Sequence, residues 1–282
     1  MRENQLESLA KNANYMEYLG RMTSSIAQSS KGIITFFAAT SKKILDVGCG
    51  SGILMRTIQA VNPAAEVIGI DINQYAVDTC IEQGLDVRNC TLSDLAKQGK
   101  TFDCVIFSSV LHEFASYSEE YPFKKNPIID ALKDTYQILK KGGKVIIRDG
   151  LRVEEGKRQK RINFKFIDPN DEIWVEKFKK DFPDFVPEAV EGKNSLNADN
   201  AKEFLYTYTW GKDSWPREVK ERFGILTQSE WLSLLKEQGF DIKNTMISAE
   251  EYKKYLALKM EVNDEISNLM SESTILIVAE KK

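Results

Sequence analysis

The sequence predicts an α/β protein: a doubly wound, mostly parallel seven-stranded sheet with a helical lid inserted after the fifth strand. Three observations predict it. From Ile44 onward, short apolar runs alternate with longer segments of helical period, the order that a parallel sheet with helical crossovers requires. The first run is followed at once by Gly48, Gly50 and Gly52, and such a cluster at a strand end lets the main chain turn sharply or approach something closely. The alternation then stops for about 70 residues, from Leu151 to Gly224, a stretch too long for a plain loop in a compact domain and so expected to carry structure of its own.

Ile44 to Val47 form the first strand, and Ile53 to Val61 a helix stopped by Asn62 and Pro63. EVIGID (Glu66 to Asp71) is the second strand, and QYAVDTCIEQG the next helix, with Gly84 as its C-terminal cap. DVRNC and FDCVIFSS (Phe102 to Ser109) give strands three and four. Between Asn126 and Lys141, Ile128, Ile129, Leu132, Tyr136 and Leu139 recur at helical spacing, and KKGG closes the helix before strand five, KVIIRD. In TQSEWLSLLKEQGF, Thr227 and Glu230 stand at capping-box spacing, Trp231, Leu234 and Leu235 form the apolar face, and Gly239 is the stop. The strand DIKNTMI, a helix from about Ala249 to Met270 and the closing strand TILIVAE complete the chain.

Composition excludes several function classes. The 282 residues hold 39 Lys and Arg against 42 Asp and Glu, for a formal net charge of -3, so no global field favours nucleic acid or an acidic membrane. Cys49, Cys80, Cys90 and Cys104 show no C-x-x-C pairing and read as reduced core thiols. The single histidine, His112, excludes a multi-histidine metal centre, and no metal is expected. The polar N-terminus and the short apolar stretch GIITFFAAT argue against a signal peptide or membrane span, so a cytoplasmic, soluble protein is expected.

In an open parallel sheet, ligands bind beyond the carboxyl ends of the strands, and the first strand-to-helix turn is the usual phosphate or nucleoside contact. A dinucleotide fingerprint counted from Gly48 wants its third glycine at position 53. Ile53 stands there and the glycine comes one residue early, which argues against a pyrophosphate cradle and a nicotinamide oxidoreductase. Asp71, 19 residues past Gly52, suits a carboxylate that accepts hydrogen bonds from both hydroxyls of a ribose.

With these residues in view the chain resembles the class I S-adenosylmethionine-dependent methyltransferases, a Rossmann-like family. LDVGCGSG is similar to the family's first motif, GIDIN to its ribose-binding motif, FDCVIFSSVLHEF to its post-second motif and LKKGGKVIIRDG to its third, in the family's order across Ile44 to Gly150. EWLSLLKEQGF and the closing strand resemble its C-terminal hairpin. The resemblance implies S-adenosyl-L-methionine as cofactor and S-adenosyl-L-homocysteine as product. It implies cofactor contacts from Asp46, Gly48, Cys49, Gly50 and Gly52, from Asp71 and Ile72, from Leu92 and from Ser108. One departure stands out: the family often has an acidic residue just after strand three for the adenine amino group. Here Thr91 takes that place with Asp94 three residues on, and which of them faces adenine stays open. The implied division is a helical cap (residues 1–43), the cofactor-binding half (44–150), the lid and substrate region (151–224) and the rest of the core (225–282).

Under this resemblance the glycines make room for the cofactor's methionyl portion, while Asp46 braces the turn by accepting main-chain hydrogen bonds. The alternative is a turn that only packs helix against strand. His112 is the one imidazole available as a base, or else a capping and packing residue. Glu113 reads as a structural partner, and Asp149 binds an acceptor amine or caps the next segment. In the lid, Phe204, Tyr206, Tyr208 and Trp210 alternate; if extended, they present one aromatic wall, with Tyr206, Tyr208 and Trp210 as acceptor contacts, and otherwise they pack the lid onto the core. RVEEGKRQKR gathers Arg152, Lys157, Arg158, Lys160 and Arg161, either a solvated face or an RNA contact. YMEYLG near the N-terminus closes over the cofactor or packs as an amphipathic helix. The expected activity is methylation of oxygen or nitrogen on a small-molecule acceptor. The alternatives are an RNA or tRNA methyltransferase and a non-methylating S-adenosylmethionine-binding protein. Oligomeric state is not legible.

Overall fold

A computed structural model describes residues 25–188 and 192–282; the segment YMEYLG lies outside the described residues, with the rest of residues 1–24. From Ser25 the chain runs α1 (Ser25–Ala38), β1 (Lys43–Val47), α2 (Ile53–Val61), β2 (Glu66–Asp71), α3 (Gln74–Glu82), β3 (Asp86–Asn89), α4 (Leu92–Lys97), β4 (Phe102–Ser108), α5 (Leu111–Ser116), α6 (Asn126–Ile138) and β5 (Leu139–Gly150). The insertion holds β6 (Arg161–Asn163), α7 (Ile173–Asp181), β7 (Ser195–Asn197), α8 (Ala198–Thr209) and α9 (Trp215–Glu218). The chain then returns through α10 (Gln228–Glu237), β8 (Phe240–Ser248), α11 (Glu250–Leu256), α12 (Asp264–Met270) and β9 (Thr274–Lys281).

The seven-stranded sheet has the order β3-β2-β1-β4-β5-β9-β8. β1 to β5 pair in parallel, and β9 runs antiparallel between β5 and β8. Strands covered on both faces read as near-continuous apolar runs: Ile44, Leu45 and Val47 of β1 are buried, and so are Cys104 to Phe107 of β4. Asp46 is the exception inside β1, buried on a strand that is otherwise apolar. The chain order reverses between β1 and β4, which opens a crevice at their carboxyl ends.

Local chemistry sets the helix ends. Asn73 caps α3 by accepting from the N–H groups of Tyr75 and Ala76, and the predicted capping box of Thr227 and Glu230 starts α10. Two expectations are corrected. The single helix over 249–270 is two, because the chain between them forms a bridge from Met260 to Phe166 and Asn263 then caps α12 through the Ile266 N–H. The stretch Phe204 to Trp210, whose aromatic wall required an extended chain, instead closes α8 with Trp210 as its C-cap, and that helix starts at the Asn197 side chain accepting from Asn200 N–H.

The insertion has its own apolar core, in which Phe164, Phe178, Phe204 and Trp215 meet Leu256, Met260, Ile266 and Met270 from α11, α12 and the chain between them. Residues from the C-terminal part of the chain therefore build the insertion as well as the sheet. Its second sheet is the antiparallel pair β6 and β7.

Candidate active site

The turn between β1 and α2 holds three residues at positive φ: Gly48 (68°), Gly50 (50°) and Gly52 (68°). Gly48 and Cys49 N–H groups both donate to the Ile70 carbonyl, at 2.8 and 3.1 Å. Gly50 N–H donates to Asp71 Oδ2 at 2.9 Å. The turn is thus tied to Ile70 and Asp71, which corrects the assignment of that bracing to Asp46. A Cβ on Gly48 would lie 2.5 Å from Val110 Cγ2, and one on Gly52 would collide with Leu85. Protein neighbours therefore account for these two glycines, in addition to their backbone angles. Ser51 Oγ, in the same turn, is buried with no hydrogen-bond partner, and the sequence argument missed it although it sits inside the motif.

Asp71 also receives the N–H groups of Asn73, at 2.9 Å, and Ile72. A carboxylate has about four acceptor positions, so capacity remains toward the crevice. Burial raises the Asp71 pKa against the pull of these hydrogen bonds and of Arg217. Burial likewise pushes Asp46 up to about 7, with Lys31 pulling down and Asp71 pushing further up. Cys49 and Cys80 are free, buried thiols, and Cys80 Sγ donates to the Gly50 carbonyl at 3.2 Å.

Thr91 and Asp94 satisfy each other. Thr91 Oγ1 donates to Asp94 Oδ2 at 2.7 Å while accepting from Asp94 N–H at 3.1 Å, a capping box for α4. Both side chains thus serve the helix start, with Leu92 buried behind them. At the end of β4, Ser108 lies beside Arg148 in register, and Ser109, at φ 57°, accepts from the Arg148 guanidinium at 2.5 Å.

His112 is buried between two carboxylates. Its Nδ1 lies 2.6 Å from Asp149 Oδ1, its backbone N–H donates to Asp149 Oδ2 at 3.1 Å, and Nε2 lies 3.5 Å from Glu221 Oε2. Burial pulls the imidazole pKa down, but Asp149 and Glu221 carry it well above the usual range, an environment that favours the imidazolium. Phe223 stacks on it at 4.9 Å. Glu203 fixes Phe223 by accepting from the N–H groups of Phe223 and Gly224, at 2.8 and 2.9 Å. With both ring nitrogens engaged, His112 clamps the insertion to β5, a correction to the base reading. Asp149 also accepts from Gly150 N–H at 2.8 Å, the capping alternative rather than a free amine site.

Glu113, the residue after His112, is partly accessible and within electrostatic reach of Asp71. It is deeply placed, yet 29% of its side chain is accessible, and Arg217 Nη2 lies 3.4 Å from its Oε1. Burial first, then repulsion from Glu221, pushes its pKa up to about 8, against Arg217 and His112; Asp71 adds to the rise. Glu221 in turn accepts from Tyr117 OH at 2.7 Å and lies 3.5 Å from Arg217 Nε. His112, Glu113 and Glu221 bring their polar atoms within 4.8 Å of one another, and protonated His112 and Arg217 supply the positive charge that such a grouping needs. Arg217 and Glu221 come from the insertion, more than 100 residues from Glu113, with no local pattern to announce them.

The lid aromatics do not form one wall. On a helix, residues two apart diverge: Phe204 stacks on Tyr208 at 5.3 Å, while Tyr206 turns toward the sheet, donating to the Ser273 carbonyl at 2.5 Å. Tyr208 OH donates to Asp171 at 2.7 Å, and Trp210 packs on Tyr252 and Tyr255. These rings pack the insertion, the alternative reading above. The basic run is also largely neutralised: Arg152 pairs with Glu230 at 2.6 Å, Arg158 with Asp199 at 2.8 Å, Lys160 with Glu265 at 3.4 Å, and Arg161 with Glu188. No helix among the described residues is long and apolar enough to cross a membrane.

A family model described as a methyltransferase domain matches residues 20–245. A tRNA (carboxymethyluridine(34)-5-O)-methyltransferase, alkbh8, from Xenopus tropicalis is 30% identical over 117 residues, covering 42% of this chain and 17% of that protein. The mitochondrial ubiquinone biosynthesis O-methyltransferase of Rattus norvegicus is 29% identical over 113 residues, 37% of this chain and 30% of that protein. The chain thus spans less than a third of either relative. Among solved structures, an O-methyltransferase family protein from Burkholderia thailandensis superposes with a TM-score of 0.53 at 12% identity, over 95% of this chain and 59% of that one. The cyclopropane synthase MmaA2 of Mycobacterium tuberculosis gives 0.54 at 11% identity, over 90% and 84%. These superpositions establish the fold, which hosts more than one chemistry.

Proposed function

The chain belongs to the class I S-adenosylmethionine-dependent methyltransferases, and from that premise we propose that it methylates an oxygen or nitrogen of a small-molecule acceptor held beneath the insertion. The observation that carries the reading is the charge of the crevice. Asp71 raises the pKa of both Asp46 and Glu113, so three carboxyl groups stand within electrostatic reach, a grouping that favours a cation and repels a pyrophosphate. The donor set fits S-adenosyl-L-methionine on this ground: Asp71 has acceptor capacity left for a ribose hydroxyl, the unpartnered Ser51 hydroxyl lies in the turn, and the acidic wall suits the sulfonium and the amino group.

When bound, that group supplies an already activated methyl. The chain's contribution is then geometry and exclusion of water, which can provide most of the acceleration. Asp71 orients the sugar while holding the Gly50 turn in place. The insertion brings Arg217 and Glu221 to the crevice, and the imidazolium of His112 ties Glu221 to β5 through Asp149. A base is needed only where the acceptor must lose a proton early. The paired basic run argues for a small acceptor over RNA, because a phosphate-tracking surface needs unneutralised cations.

Labelled-methyl transfer from S-adenosyl-L-methionine into fractionated cell extract tests the reading. Label in a nuclease-resistant, low-mass fraction is expected. Label that stays with RNA and disappears on nuclease treatment would move the protein to the RNA class, and cofactor binding with no transfer to any fraction would favour a non-methylating binder.

A further inference from the structure

Glu113 is a carboxylate that is partly accessible, stands within electrostatic reach of Asp71 at the crevice and belongs to a cluster with charge to balance. Its own helix α5 supplies the imidazolium of His112, and Tyr117 follows just beyond it. The insertion supplies Arg217 and Glu221, and β2 supplies Asp71. Glu221 is committed: it accepts from Tyr117, faces His112 Nε2 and lies beside Arg217. Asp149 is committed to His112 and Gly150. Glu113 has one long contact, 3.4 Å to Arg217, and 29% of its side chain open.

We propose that Glu113 is the catalytic base of this crevice and that the charge of the cofactor sets its protonation: it is ionised beside the sulfonium and neutral beside the product thioether. This inference rests on the function proposed above. The balance is simple. The acceptor X–H gives its proton to a Glu113 oxygen, its electron pair forms the bond to the methyl carbon, and the carbon–sulfur bond breaks with its pair staying on sulfur. One sulfonium and one carboxylate become one thioether and one carboxylic acid, so the turnover removes one pair of opposite charges and leaves the net charge of the crevice unchanged.

The cluster favours this coupling because Glu113 without ligand already holds its proton near neutrality, at a pKa of about 8. A unit positive charge within ~8 Å at an effective dielectric of ~20 lowers a neighbouring carboxyl pKa by roughly 1.5. At pH about 7.5, S-adenosyl-L-methionine should then displace roughly 0.7 proton from Glu113 per site, and S-adenosyl-L-homocysteine close to none. Asp46, pushed up to about 7, also responds to ligation, but both ligands carry the same amino group and ribose. The difference between the two ligands isolates the sulfonium.

The experiment is isothermal titration calorimetry of the full chain with each ligand, in buffers of different ionisation enthalpy, on the wild type and on Glu113→Gln. The amide keeps the size of the side chain and its contact to Arg217. A ligand difference of roughly 0.7 proton in the wild type that vanishes in the variant is expected. Equal proton counts for the two ligands, or a difference that survives in Glu113→Gln, would overturn the proposal. Should the variant fail to fold, the wild type alone decides: affinity for S-adenosyl-L-methionine relative to S-adenosyl-L-homocysteine should rise by up to ~30-fold as pH climbs from about 6 to about 8.5, and a pH-independent ratio overturns it. Failure of both ligands to bind would instead refute the cofactor reading on which the inference stands.

Discussion

Replacing Gly48 by alanine separates two reasons for a glycine at the head of the crevice. At φ 68° an alanine pays the left-handed cost of about 1–2 kcal/mol. Its methyl would also sit 2.5 Å from Val110 Cγ2, and overpacking of that kind costs about 1–3 kcal/mol. The expected loss is therefore about 2–5 kcal/mol, read as a lower urea midpoint at unchanged slope. Val110→Ala removes the colliding methyls. Combined with Gly48→Ala it should cost less than the two single changes added, by about 1–3 kcal/mol, because only the backbone strain remains. Since the new methyl points at Val110, the double variant should bind S-adenosyl-L-methionine within about fivefold of the Val110→Ala protein, a difference below about 1 kcal/mol. Additive single and double effects, within about 0.5 kcal/mol, would refute the packing account. Binding lost in the folded double variant would show that the ligand needs the same volume.

Gly50→Val should abolish cofactor binding while the protein still unfolds cooperatively, since the Gly50 N–H to Asp71 requires the turn's positive φ; calorimetric titration at unchanged affinity would contradict it. Asp71→Asn should weaken cofactor binding roughly 10- to 150-fold, the loss of a charge-assisted hydrogen bond worth about 1.5–3 kcal/mol, and should also lower the melting temperature, because an amide has one acceptor oxygen for the Gly50 and Asn73 N–H groups that the two Asp71 oxygens accept; affinity equal to wild type would remove Asp71 from the site. Stability of the unliganded protein should fall as pH rises from about 5 to about 7.5. Asp46 and Glu113, pushed up to about 7 and about 8, bind protons in the folded state that the unfolded chain has released. His112 adds the same sign: its raised pKa stabilises fully below about 6.5 and the contribution fades as pH climbs through the folded value. Lys202, pushed down to about 8, opposes the trend only above that pH. A melting temperature that is flat or rising across the window would refute the assignment.

The parts of the fold legible in the sequence are those written within a few residues. The Thr227 and Glu230 capping box and the Gly84 stop were both readable because a cap is a contact across three or four positions. The parallel order of β1 to β5 followed from apolar runs that only a doubly covered strand can afford. The Thr91 and Asp94 question was posed correctly as a choice of residue, but the answer is a local cap that binds the two together, and the same spacing rule that found Thr227 could have found it. The aromatic alternation left two readings open, and burial decides between them: four large rings two apart suit a strand, yet α8 is buried on every side, so it uses rings all round.

The candidate site was half legible, and the half that was not shares one cause. Gly48 to Gly52 and Asp71 lie in adjacent strand ends, where the topology of a parallel sheet brings them together. The group around Glu113 is assembled by charge across the seam with the insertion, and a buried charge constrains its partners' sign without constraining their place in the chain. His112 and Asp149 balance each other as an ion pair, so Glu221, from more than 100 residues away, brings a second negative charge to the ring. Once Glu221 is there, Glu113 cannot ionise freely, and Arg217 is drawn between the two. The helix dipeptide His112 and Glu113 was visible in the sequence, but the division of labour within it was not: the imidazole, with both nitrogens taken, holds the wall, and the carboxylate beside it stays partly accessible. That division follows from which partner each side chain meets, a three-dimensional fact that fixes their roles more firmly than the usual preference for histidine as a base near neutral pH.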